Sequence, residues 1–71
     1  MNPAIVPAEY RNWGIKMGTT IERIGHHWRH LTWCYAISTT GQTTEKAIAE
    51  SPEAAYKATC ERVDRIEEAR K

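Results

Sequence analysis

The sequence predicts an α+β domain: a small three-stranded antiparallel sheet followed by one C-terminal amphipathic helix, in the order β-β-β-α. Three observations carry this. Ser51-Pro52-Glu53-Ala54-Ala55 has the form of a helix start: a hydroxyl cap, a proline where the missing amide costs nothing, and a carboxylate at the positive end of the dipole. Leu31, Trp33, Tyr35 and Ile37 alternate with His30, Thr32, Cys34 and Ala36, the period of a strand with one buried face. Thr39-Thr40-Gly41 follows after Ser38, and glycine supplies the positive φ that a tight turn needs.

Along the chain, Pro3 and Pro7 each lack an amide donor and bias the preceding residue away from helix. Residues 1–12 therefore read as an irregular N-terminal arm, and residues 13–71 as a single small globular domain. A first strand is expected around Thr19 to Ile24, ended by Gly25, and a second from Leu31 to Ile37. Gln42 to Glu50 returns as the third, with Ile48 inward. In the helix, Tyr56, Cys60, Val63 and Ile66 recur at helical spacing with Ala55 and Thr59 beside them. Glu53 with Lys57 and Glu61 with Arg65 are acid-first pairs four apart, the favourable order on an exposed face.

This pattern predicts that Leu31, Trp33, Tyr35 and Ile37 pack against Tyr56, Val63 and Ile66. The opposite sheet face, with Trp28, Thr32, Cys34, Ala36, Ala47 and Ala49, is then left uncovered. The competing fold is an all-α helical hairpin. Thr19 and Glu22 have capping-box spacing, and Ile21, Ile24, Trp28, Leu31 and Tyr35 fit a heptad. Gly25 in mid-helix and the density of Thr, Trp, Tyr and Ile around it weigh against that alternative.

At 71 residues the chain has room for one core, close to the lower limit of independent stability. Its two cysteines, Cys34 and Cys60, are too few for a secreted disulfide scaffold and are expected to be free thiols. The first residues lack an early basic side chain and a long apolar run, so no signal peptide and no membrane contact are expected, and the cytoplasm is the expected compartment. Net charge is +1, unevenly spread. Residues 1–41 carry four basic against two acidic side chains and all three histidines, whereas residues 42–71 carry six against seven.

Gly25-His26-His27-Trp28-Arg29-His30 is the most unusual stretch. A zinc site would have to draw on His26, His30, Cys34 and Cys60. On a strand, residues four apart lie roughly 13 Å from each other and cannot share an ion; on a helix they would be neighbours. No metal, no cofactor and no catalytic group is expected on the β reading, and the same spacing separates Cys34 from His30 as a nucleophile pair. The four glycines are scattered at 14, 18, 25 and 41, which makes no phosphate loop.

What remains is recognition. Trp28 with Arg29, His30, His27 and Arg23 is the expected binding surface, because tryptophan and arginine are enriched at interface hot spots. The expected function is that of a small non-catalytic regulatory or inhibitory protein that binds a protein partner, not an enzyme. In the order of its elements the chain resembles small phage and mobile-element accessory proteins, an analogy of architecture that fixes no function. The alternative is nucleic-acid binding, with Arg11, Lys16, Arg23 and Arg29 on phosphates and Trp28 stacked on a base. A one-helix cover leaves a sheet face and strand edges open, so a homodimer through the face or an edge is also expected.

Overall fold

The computed structural model describes residues 6–70 and has the α+β class that the sequence predicts. Four strands, β1 (Glu9–Tyr10), β2 (Trp13–Ile24), β3 (His27–Ile37) and β4 (Ala47–Ala49), form one antiparallel sheet in the order β1-β2-β3-β4. The helix α1 (Pro52–Ala69) closes the chain. The all-helical alternative is overturned, since residues 13–37 are a β-hairpin. Of the expected N-terminal arm, Glu9 and Tyr10 enter the sheet as β1, residues 6–8 and 11–12 flank that strand, and residues 1–5 lie outside the described residues.

The hairpin dominates the shape. Eleven cross-strand pairs join β2 to β3, from Gly14 opposite Ile37 to Ile24 opposite His27. Gly25 has φ +63 and His26 a negative φ, the pattern of a two-residue turn with glycine first, whose twist matches the strands it joins. At the other end Arg11 and Asn12 both take positive φ, 51° and 67°, and return β1 onto β2. Arginine is strained there, and its side chain is held by Asp64 of α1, Nη1 to Oδ1 at 2.9 Å.

Which sheet face is inside differs from the expectation. The helix covers Thr32, Cys34, Ala36 and Ala47, all buried, and Ala36 shares a core cluster with Trp13 and Val63. Trp33, Tyr35 and Ile37 lie on the opposite face. Strand alternation defines two faces without saying which is covered, and a slip of one residue exchanges them. Side-chain size decides here. The helix presents Ala55, Thr59, Cys60 and Val63 to the sheet, and such a face can approach closely only over small residues. The aromatic weight of the core comes instead from Trp13, 1% exposed, whose Nε1 donates to Glu67 Oε1 at 2.9 Å.

The third expected strand shrinks to Ala47–Ala49 because Thr44 enters the ladder through its side chain. Ala36 N donates to Thr44 Oγ1 at 3.0 Å while Thr44 N donates to Ala36 O. The helix start matches its sequence signature: Ser51 is extended (φ −134, ψ 153) and its Oγ accepts from Ala54 N at 3.2 Å, with proline next. No helix among the described residues is long and apolar enough to cross a membrane.

The seam between β1 and α1 fixes a pH dependence. Tyr10 Oη donates to Asp64 at 2.9 Å. Arg11 and Tyr10 together hold the Asp64 carboxyl below its ordinary value, and the bond to Asp64 raises Tyr10. Burial pushes Tyr56, edge-on to Tyr10 at 6.3 Å, up to about 12. A raised phenol stabilises the fold fully below the unfolded-state value of about 10, and that contribution is lost as pH climbs towards the folded-state value. Asp64 acts in the opposite sense: its contribution is complete above the unfolded carboxylate value and lost as pH falls through the folded one. We therefore expect alkaline unfolding between about pH 10 and 12, followed by far-UV circular dichroism. Tyr56→Phe should move the transition upward, and an unmoved transition would exclude Tyr56 as its cause.

Candidate binding surface

Beyond the reach of α1 the β2–β3 hairpin continues as a projecting arm. Every residue from 21 to 30 is exposed, and the molecule extends 46 Å along its long axis against 17 Å along its short one. The arm holds all five residues expected to form the binding surface. Trp28 is 67% exposed, and Ile21 and Ile24 stand out at 54% and 48%.

Register distributes these side chains over two faces. Trp28 pairs with Arg23, and His30 with Ile21, so Ile21, Arg23, Trp28 and His30 share the face that α1 covers further along the sheet. His27 and Arg29 lie on the other face with Glu22 and Ile24. The expected surface is thus one arm with two sides. Arg23 Nε donates to Gly25 O at 3.1 Å and steadies the turn, and Arg29 forms an ion pair with Glu50. No group of three or more potential ligands that could hold a metal ion occurs among the described residues.

Sequence reasoning missed a second surface. On the uncovered sheet face Trp33 and Tyr35 stack, ring centres 5.9 Å apart and planes inclined by 19°. Lys46 Nζ sits 4.9 Å from the Trp33 ring centre, within cation–π range. With Thr43 and Thr44 these side chains line a shallow hollow of about 380 Å³. Lys16 lies directly opposite Tyr35.

Gly18, opposite Trp33, makes this arrangement possible. A Cβ there would fall 2.3 Å from Trp33 Cζ2 and 2.6 Å from Cε2. The only advance signal would have been a glycine inside a strand, which often marks a close approach. Gly18→Ala should therefore displace the indole, at a cost of about 1–3 kcal/mol, read by urea denaturation together with a shift in tryptophan emission. Unchanged emission and stability would mean that the indole does not lie over Gly18 in solution.

Both thiols lie inside the domain. Cys34 and Cys60 are free and buried, and burial raises Cys60 above its ordinary value, which lowers its thiolate fraction and its nucleophilicity at neutral pH.

Comparison of the chain with protein-family models, with curated proteins and with solved structures finds no match.

Proposed function

We propose that this protein is a non-catalytic binding module, a small regulator or inhibitor that grips a protein partner through its projecting β2–β3 arm. One observation carries the reading: Ile21, Ile24 and Trp28, three of the four large apolar side chains that stand exposed among the described residues, fall within the arm. Exposed apolar side chains gathered on one element mark an interaction surface, whereas single scattered ones are ordinary. On the Trp28 side of the arm Arg23 and His30 supply a polar rim beside the aromatic anchor, while His27 and Arg29 lie on its other side, a composition in keeping with interface hot spots. By architecture alone we group it with small phage and mobile-element accessory proteins, and we place it in the cytoplasm, where Cys34 and Cys60 stay reduced.

A second reading has an observation of its own. The Trp33–Tyr35 stack beside Lys46 and Lys16 suits bases and phosphates of single-stranded nucleic acid, since stacking on aromatic rings tolerates any base. Against it, Arg11 is engaged by Asp64 and Arg29 by Glu50, so the basic residues do not run on as one stripe.

Two titrations separate the readings. Binding of a mixed-sequence single-stranded oligonucleotide is followed by tryptophan quenching at rising salt. Proteins from a host extract are captured on the immobilised chain under the same series. The protein-binding reading expects no quenching by the oligonucleotide, together with capture that tolerates salt and is lost on Trp28→Ala. Salt-steep quenching that disappears with Trp33→Ala would overturn it in favour of nucleic acid.

A further inference from the structure

We propose that a second copy of this chain covers the sheet face opposite α1. The two sheets lie face to face with their strands antiparallel, and the two-fold axis crosses the hairpin level with Thr19 and Thr32, which pair at its middle. The centre of this face is apolar. Leu31, Trp33, Tyr35 and Ile37 follow one another on that side of β3, and Ile48 of β4, opposite Trp33, is 54% exposed. A sheet that is apolar on both faces needs a packed layer on each, and α1 supplies one. The strip from His27 to Ile37 measures about 33 Å by about 14 Å over three strands, a patch at the small end of stable interfaces. Association is therefore expected in the micromolar range, with the dilute chain monomeric.

Charge on this face selects both the occupant and its orientation. Lys16 stands opposite Tyr35 and Lys46 reaches the Trp33 ring, so both lysines flank one end of the apolar strip. At the other end Glu22 stands opposite Arg29, which Glu50 already neutralises. Lys16 and Glu22 are exposed, and neither forms an ion pair within its own chain among the described residues. Two-fold symmetry can bring aligned sheets together in two ways. An axis along the strands sets Lys16 over the partner's Lys46 and Glu22 towards the partner's Glu50, like charge on like, which costs free energy. An axis across the strands sets the lysine end of each copy over the glutamate end of the other. Lys16 then faces the partner's Glu22, twice over by symmetry, across a gap of about 10 Å that two long side chains can close. In the same register Trp33 faces the partner's Leu31, and Gly14 leaves room for the partner's Ile24. Ile21 and Trp28 lie on the other side of the sheet and stay exposed in this dimer.

The test uses the full chain at low salt, where charge pairs are least screened, and reads mass by sedimentation equilibrium across the micromolar range. The wild type should pass from monomer to dimer. Lys16→Glu and Glu22→Lys should each weaken association about tenfold, since each sets two like-charged pairs across the seam. The double exchange should restore it. Ile48→Glu puts a carboxylate into the apolar strip and should leave a monomer at every concentration, whereas Trp28→Ala should leave the mass unchanged. Circular dichroism establishes that each variant is folded. A wild type that stays monomeric overturns the proposal, as does a dimer that survives Ile48→Glu or is indifferent to single charge reversal. Tighter association of Lys16→Glu would overturn it too, since that is the result expected for an axis along the strands. Mass does not depend on partner capture through Trp28, so either reading can fail alone.

Discussion

Trp13→Ala is expected to cost about 3–5 kcal/mol, a large share of the stability available to a domain of this size, which sits near the low end of about 5–15 kcal/mol. The indole is the largest fully buried side chain and shares its cluster with Ala36 and Val63. Truncation removes that packing and the indole donor to Glu67 Oε1, which is left with its ion pair to Arg70 at 3.5 Å. Arg70, whose guanidinium carbon stands 5.9 Å from the ring centre, loses its platform as well. Trp33→Ala should cost only about 1–2 kcal/mol, as expected for a half-buried ring that loses part of its transfer energy. Urea denaturation of the two variants gives the comparison directly. If Trp33→Ala proves the more damaging, the helix covers the Trp33 face and the register drawn here is wrong by one residue.

That contrast marks where the sequence stops being legible. The helix was readable because its start is local: Ser51, Pro52 and Glu53 act on backbone groups within one turn. The strands were readable as alternation, and Gly25 as their boundary, since a turn needing positive φ leaves a glycine behind. Inside and outside were not readable. Hydrophobicity favours Leu31, Trp33 and Tyr35 as the core face, but the docking distance of α1 is set by Ala55, Thr59 and Val63 and favours the small residues Cys34, Ala36 and Ala47. That is a property of two elements together, and neither segment carries it alone.

The same limit applied to the candidate surfaces. The residues of the arm were identifiable by type, whereas their exposure depends on how far β2 and β3 outrun the helix. The Trp33–Tyr35 stack depends on Gly18, fifteen residues from Trp33 in sequence and directly opposite it in the sheet.

Trp28→Ala should do the reverse of Trp13→Ala, leaving the fold intact and removing the partner. At 67% exposure the indole contributes little to the isolated chain, and surface substitutions of this kind stay within about 0.5 kcal/mol. In a complex the same ring would be an anchor, and truncating a hot-spot tryptophan costs about 2–4 kcal/mol, or roughly 30- to 1,000-fold in affinity. Ile21→Ala, diagonal to it on the same face, should cost less, about 1 kcal/mol for the apolar area removed. Lys57→Ala, on the exposed side of the helix, should cost nothing. Circular dichroism melts establish that all three variants fold, and titration calorimetry against the captured partner ranks them. The ordering Trp28 above Ile21 above Lys57 is the expected result. Equal affinities for the wild type and Trp28→Ala, with both folded, would remove the arm as the gripping element and leave the Trp33–Tyr35 face as the surface to test next.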